Sequence, residues 1–181
     1  MSTAQPGARL IHTSALDLAL RANLLRLLDH AFDGGFSDDD FEHALGGVHA
    51  VIVLDSEAIA HGSVVQRRLL YRGNALRCGY VEAVAVHKRW RGKGLAHSVM
   101  AALETVIASA FEVGALSASA RGEALYLRRG WTRWRGPTSV LGPTGPQRTP
   151  DDDGGVFVLP GTLALDPDRA LSCDWRNGDV W

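Results

Sequence analysis

The 181 residues predict an α/β chain, and three observations carry that expectation. Apolar residues recur at helical spacing over residues 16–28 and 95–107, and β-branched or alternating runs occupy 48–54, 58–70 and 76–86. A glycine-rich basic turn, R-W-R-G-K-G-L-A at Arg89 to Ala96, joins the last of those runs to the helical run at 95–107.

In chain order, Ala8 to Thr13 reads as a short strand. Leu16, Leu20, Leu24, Leu27 and Leu28 then make one face of a helix, with Ser14 or Asp17 as its cap. Ser37 followed by Asp38, Asp39 and Asp40 reads as a second helix start, because a hydroxyl caps the free N–H groups and carboxylates meet the positive end of the dipole. That helix continues into Phe41 to Leu45 and ends at Gly46 and Gly47. Val48 to Leu54 and Ala58 to Leu70 form a hairpin about Asp55 to Glu57. After a turn at Gly73 and Asn74, Leu76 to Val86 returns with Val81, Ala83 and Ala85 on one face and Glu82, Val84 and Val86 on the other. The helix from Ser98 to Ala110 carries the stripe Leu95, Val99, Ala102, Leu103, Val106 and Ile107, and stops near Gly114. Leu116 to Ala120 reads as a strand, Gly122 to Arg129 as a short helix capped by Gly130, and Trp131 to Arg135 and Val156 to Leu159 as closing strands. The segment between those two strands, G-P-T-S-V-L-G-P-T-G-P, reads as loop, and the chain after Asp166 shows no period.

Composition is that of an ordinary globular protein, and the length is that of one domain over residues 1–181. A formal charge of −1 gives no support for nucleic acid as a partner. Two distant cysteines and seven scattered histidines without ligand spacing predict neither a disulfide framework nor a metal. With no leader pattern and no run of bilayer length, no membrane partner is expected and the cytoplasm is the expected location. Charge is nevertheless uneven, basic over Arg67 to Lys93 and Arg121 to Arg135, acidic at Asp38 to Asp40 and Asp151 to Asp153.

The basic turn reads as a phosphate site, since glycines let successive N–H groups approach an anion at a helix start while Arg89, Arg91 and Lys93 add charge. A P-loop would need a hydroxyl after the lysine, and Lys93 is followed by Gly94. A dinucleotide turn would need G-x-G-x-x-G. The spacing present, R-x-x-G-x-G closed by Ala96, resembles the turn with which GCN5-related N-acetyltransferases hold the diphosphate of acetyl-CoA. The resemblance implies a mixed, mostly antiparallel sheet flanked by helices, whose fourth and fifth strands splay around that cosubstrate.

Acetyl transfer to an amine needs a base, a donor to the thioester oxygen and an acid for the departing sulfur. Glu82, working through water, is a candidate base, although taken alone it reads as readily as a surface glutamate paired with an arginine. Tyr126 is a candidate acid or a ring packed on the core. Ser117 either meets substrate or ties its own backbone.

Longer stretches are similar to the aminoglycoside 2′-N-acetyltransferases: R-R-L-x-Y-R-G-N-A-L-R-C-G-Y-V-E at Arg67 to Glu82, G-P-T-S-V-L-x-P-T-G-P at Gly136 to Pro146, T-P-D-D-D-G at Thr149 to Gly154 and C-D-W-R-x-G-D-V-W at Cys173 to Trp181. That resemblance implies direct acetylation of an aminoglycoside 2′-amine by acetyl-CoA, without a metal or an acyl-enzyme, by a homodimer. It implies Glu82 as base and Tyr126 as acid. Val84, Ala85, Val86 and Arg91, Gly92, Lys93, Gly94, Leu95 and Ala96 become the cofactor contacts. Asp33, Asp40, Glu82, Ala83, Ser117, Asp152, Asp179 and Trp181, with its terminal carboxylate, become contacts to the polycationic drug, so that the tail 167–181 contributes to the acceptor site. The pattern departs at Gly35, where an acidic residue is expected before Phe36, and Asp33 is the candidate replacement. The alternatives are an acetyltransferase for another endogenous amine and an inactive acyl-CoA-binding module.

Overall fold

The computed structural model describes residues 7–181. They form two compact units that share strands: the described residues up to Val65 with Glu82–Thr105, and Gln66–Val81 with Val106–Trp181.

In the first unit, β1 (Arg9–His12) pairs antiparallel with β2 (Val48–Leu54), which pairs antiparallel with the first part of β3 (Glu57–Tyr71), beside the second part of β4 (Asn74–Val86). The β2–β3 turn works because Asp55 and Ser56 both take positive φ, the conformation that lets two residues reverse twisted strands. Helix α1 (Leu18–Ala31) begins where the Asp17 carboxylate accepts the Leu20 N–H at 2.7 Å. Its Leu24, Leu27 and Leu28 bury against Phe41, Val51, Ala58 and Ala85, with Ala83 packed alongside. The expected start at Ser37 is realised in α2 (Asp38–His43) as a reciprocal capping box, though this helix stops at His43 rather than running to the glycines. Helix α3 (Leu95–Ala110) starts in this unit, and Val99, Leu103 and Val84 close over Gly62, where a Cβ would lie 2.9 Å from Val99.

In the second unit the strand order is β6-β9-β5-β4-β3-β10-β7-β8. Here β5 is Val113–Ser117, β6 Thr132–Arg133, β7 Thr138–Gly142, β8 Gly145–Arg148, β9 Val156–Pro160 and β10 Leu171–Asp174. Most neighbours are antiparallel, while β4–β5 and β7–β10 are parallel. The β4–β5 ladder has three pairs and ends at Tyr80 and Ala115; β5 runs on to Ser117 paired only with β9. Helix α4 (Glu123–Arg128) follows, with Gly130 at φ +86° just beyond it. Trp131, Trp134, Phe157 and Tyr80 are among the largest buried side chains.

Four sequence expectations are corrected. The strand expected at Leu116 to Ala120 begins three residues earlier, at Val113. Gly114 is a strand residue rather than a helix stop, because an added Cβ would lie 3.2 Å from both Ile107 and Leu159. The proline-rich segment after Gly136 is a β-hairpin, with Gly142 opposite Gly145. The aperiodic tail contains β10, held between β3 and β7.

Candidate active site

In the first unit β4 carries a point of backbone strain. Ala83 sits inside the strand at φ +51°, a left-handed conformation that costs a residue bearing a Cβ about 1–2 kcal/mol. Glu82 precedes it and Val84 follows, all three half-buried. The Ala83 carbonyl is held by the His61 ring at 2.9 Å. A trans peptide points its C=O and N–H in opposite directions, so fixing that carbonyl also fixes the direction of the Val84 N–H.

The turn after β4 is open and basic. Gly92 and Gly94 take φ +75° and +76°, and nothing lies within 4 Å of a Cβ placed on either, so the backbone conformation rather than space calls for glycine. Arg91 to Gly94 are exposed, and α3 begins at Leu95 with no acidic residue in its first turn. The first N–H groups of a helix have no acceptor within it, and the helix dipole is positive there. Lys93 lies 4.4 Å above the Trp90 ring, which leaves a cation at the mouth of the turn. Arg91 folds back, with long hydrogen bonds to the Val86 carbonyl (3.4 Å) and the Ala31 carbonyl (3.3 Å), tying the strand end and α1 to the turn. These groups suit a diphosphate: an anion accepts N–H donors and offsets charge, and the glycines leave room for it.

Two acidic candidates of this unit already have local work. Asp33 follows α1 at φ +57°, and its carboxylate meets the Lys88 ammonium at 2.5 Å. Asp40 closes the capping box, its Oδ2 accepting the Ser37 N–H and hydroxyl at 2.8 Å each.

In the second unit Tyr126 of α4 is buried between Trp131 and Phe157, each ring centroid 6.1 Å away. Burial pushes its phenol up to about 12. A Cβ on Gly122 would sit 2.9 Å from the Tyr126 ring, so this glycine permits the ring's position. Ser117 ends β5, exposed and opposite Val156.

Asp152, Asp179 and Trp181 come together around Thr149. The buried Trp181 indole donates to the Thr149 hydroxyl at 2.9 Å, and the Trp181 N–H donates to the Asp179 carboxylate at 3.3 Å. Burial first, and then the neighbouring Asp179 charge, raise the Asp152 carboxyl above its usual range. A carboxylate whose ionisation is disfavoured by burial and a neighbouring acidic residue is where a cation gains most. Arg176 pins the tail by donating to the Asp179 carbonyl at 2.7 Å and the Trp181 carbonyl at 3.0 Å. The adjacent Asp153 has a different fate: Arg148 and Thr138 hold it well below the carboxylate range, and its role is structural.

Sequence reasoning missed Gly122, Arg176, His49 and His61. The histidines did leave a signal, an imidazole inside each of two largely apolar strand runs, V-H-A-V-I-V-L and E-A-I-A-H-G-S-V-V. The cysteines are buried and their thiols pushed up, Cys173 to about 11 and Cys78 further, so neither offers a thiolate at neutral pH.

Residues 18–131 match the acetyltransferase (GNAT) family. An aminoglycoside 2′-N-acetyltransferase of Mycolicibacterium fortuitum is 57% identical over 178 residues, 96% of this chain and 91% of that protein. Among solved structures, Escherichia coli ElaA superposes with a TM-score of 0.59 at 18% identity, covering 84% of this chain and 98% of its own. An acyl-CoA N-acyltransferase from Pseudomonas aeruginosa gives 0.57 at 19%, covering 83% and 97%. A probable N-acyltransferase from Enterococcus faecalis gives 0.57 at 14%; there the match covers 70% of this chain and only 33% of the other. At these identities the structures share the fold alone. The family's sequence pattern, the relative identical at more than half its positions, and the strand–turn–helix at Ala83 to Leu95 agree: the chain belongs to the acetyltransferase (GNAT) family.

Proposed function

We propose that this chain transfers acetyl from acetyl-CoA directly to the 2′-amino group of an aminoglycoside. The single observation that carries the choice of acceptor is the 57% identity, over nearly the whole chain, to a protein named for that reaction. The carboxylate pair Asp152 and Asp179 beside Trp181 supports it, because an aminoglycoside is a polycation.

In this reading acetyl-CoA supplies the activated acyl group, and the turn from Arg91 to Ala96 holds its diphosphate while Val84 to Val86 run alongside its thioester arm. Glu82 takes the ammonium proton through water, freeing the lone pair of the amine. The new C–N bond forms at the thioester carbonyl as the C–S bond breaks, and the Val84 N–H donates to the carbonyl oxygen as charge gathers there. The sulfur leaves with the bonding electrons and takes its proton from Tyr126, and the second proton that the nitrogen sheds on becoming an amide restores the phenol through solvent. A phenol at about 12 is a weaker acid than an ordinary thiol near 8.5, which makes full transfer uphill by about 5 kcal/mol in the ligand-free environment. The phenol therefore acts first as a hydrogen-bond donor to sulfur and gives up its proton late. Neither buried cysteine enters, so no acyl-enzyme forms.

The reading treats residues 1–181 as one catalytic domain that works in the cytoplasm as a homodimer, with Asp33, Asp40, Ala83 and Ser117 among the drug contacts and the tail 167–181 in the acceptor site. Among the described residues no helix is long and apolar enough to cross a membrane. Light scattering at assay concentration tests the dimer.

The deciding experiment is the mass and regiochemistry of the product from a 2′-amino and a 2′-hydroxy aminoglycoside. Acetylation of the first alone is expected, and equal N-acetylation of both overturns 2′ selectivity. Glu82→Gln is expected to lower kcat by about 10²–10⁴-fold with acetyl-CoA affinity kept. Tyr126→Phe is expected to cost about tenfold or more.

A further inference from the structure

A second polar constellation, outside the acid and base just described, lies inside the first unit. His49 of β2 and His61 of β3 have no exposed surface, and their rings lie 5.2 Å apart at 38°. The Thr13 hydroxyl contacts His49 Nε2 at 2.8 Å, His49 Nδ1 contacts His61 Nε2 at 2.9 Å, and His61 Nδ1 contacts the Ala83 carbonyl at 2.9 Å.

The proton on each bond follows from its last acceptor. A carbonyl only accepts, so His61 Nδ1 carries hydrogen. A neutral ring has one N–H, which leaves His61 Nε2 to accept and requires hydrogen on His49 Nδ1. His49 Nε2 then accepts from the Thr13 hydroxyl, whose oxygen accepts the Gly46 N–H at 2.9 Å. Every ring nitrogen has one partner and one role. Burial keeps both rings neutral, lowering His61 to about 3 and His49 to about 4, helped at His49 by the nearby His12 and Arg21. A charged ring would turn an acceptor into a donor and break the direction of the chain.

We propose that Thr13, His49 and His61 form a positioning relay for acyl transfer: by holding the Ala83 carbonyl they lock the strained peptide that presents the Val84 N–H to the thioester oxygen. The proposal rests on the acyl-transfer reading of Glu82 to Val84. Two physical effects carry it. The planar peptide makes the carbonyl's anchor also the anchor of the N–H direction. A hydrogen bond to the carbonyl also polarises the peptide, which strengthens its N–H as a donor. An apolar residue at position 61 would do neither, and would leave a buried carbonyl unpaired.

The test compares His61→Leu with His61→Asn, whose side-chain amide offers an N–H near the position of Nδ1. His61→Leu is expected to lower kcat by ~10- to 100-fold while the acetyl-CoA dissociation constant changes less than about threefold. His61→Asn is expected to recover most of that loss at matched thermal stability, which a role in packing alone would not produce. Glu82→Gln runs in the same assay. Wild-type turnover in Glu82→Gln overturns the acyl-transfer reading itself. An inactive Glu82→Gln beside a folded His61→Leu with wild-type turnover overturns the relay only. Nitrogen-15 NMR of the histidine rings in the unaltered protein provides a readout independent of the variants. Hydrogen on Nδ1 of both rings at neutral pH is expected, and hydrogen on Nε2 of His61 overturns the proposal.

Discussion

The glycine-rich basic turn and the strand that leads into it both depend on left-handed backbone, and they obtain it by opposite means. At Gly92 and Gly94 the residue type permits positive φ at little steric cost, and open space surrounds both. At Ala83 the residue type resists it, and the conformation persists inside a strand packed among Ala85, Leu24 and Val51, with His61 on its carbonyl. The turn leaves room for a ligand, whereas the strand at Ala83 is packed and tied in place. That division suits a site in which binding and bond-making are assigned to different stretches of backbone.

The comparison can be broken at several points. The largest effect is expected from Gly122→Ala, which brings a methyl within 2.9 Å of the Tyr126 ring without touching the phenol chemistry. Turnover should fall about tenfold or more, with acetyl-CoA affinity kept, as measured by steady-state kinetics beside Tyr126→Phe. If fixed geometry did not matter at that ring, Gly122→Ala would be silent.

Next is Asp152→Asn, expected to raise the aminoglycoside KM about tenfold, the worth of one partly buried charge pair. Its effect on stability has the opposite sign. The folded-state carboxyl is raised by burial and Asp179, so the folded protein binds this proton more tightly than the unfolded chain. That contribution is present below the unfolded value and lost as pH rises through the folded one. At pH 7 the ionised aspartate therefore destabilises, and Asp152→Asn should raise Tm in thermal unfolding, with the difference shrinking toward pH 4.

Gly94→Ala should raise the acetyl-CoA KM about 3- to 10-fold with kcat little changed, since a Cβ makes the left-handed turn cost about 1 kcal/mol more. The smallest effect is expected from Ala83→Gly. Relief of about 1–2 kcal/mol of steric cost is offset by the greater entropy of glycine in the unfolded chain, about 0.5–1 kcal/mol, and by the lost methyl. Urea unfolding should show a change below about 1 kcal/mol, whereas the same exchange in reverse at Gly94 is felt directly in cofactor affinity.

Legibility in the sequence followed the same line. The capping box at Ser37 and Asp40, the helix α1 stripe and the turn at Arg91 to Ala96 were readable because each is set by residues within a few positions of one another. The hairpin β7–β8 was hidden by Pro143 and Pro146, and β10 is only four residues long, too short to show a period. β10 is a strand because β3 and β7 offer it hydrogen-bonding edges, and β7 is one because β10 and β8 flank it. The start of β5 was misread because Gly114 looks like a helix stop until Ile107 and Leu159 are seen to close over it.

By itself, the sequence determined the helices, the two central hairpin strands and the glycine-rich basic turn, together with a family resemblance that named Glu82 and Tyr126. Local periodicity, capping chemistry and the φ preferences of glycine act over a few residues and are written in residue order. Only the tertiary structure decided that Ala83 is strained, that His49 and His61 meet beneath it, that Asp152 feels Asp179, and that Arg176 pins Trp181. Apart from Arg176 and Trp181, which lie five residues apart, these join residues distant in the chain through burial or a directed hydrogen bond, and such contacts have no period for a sequence to display.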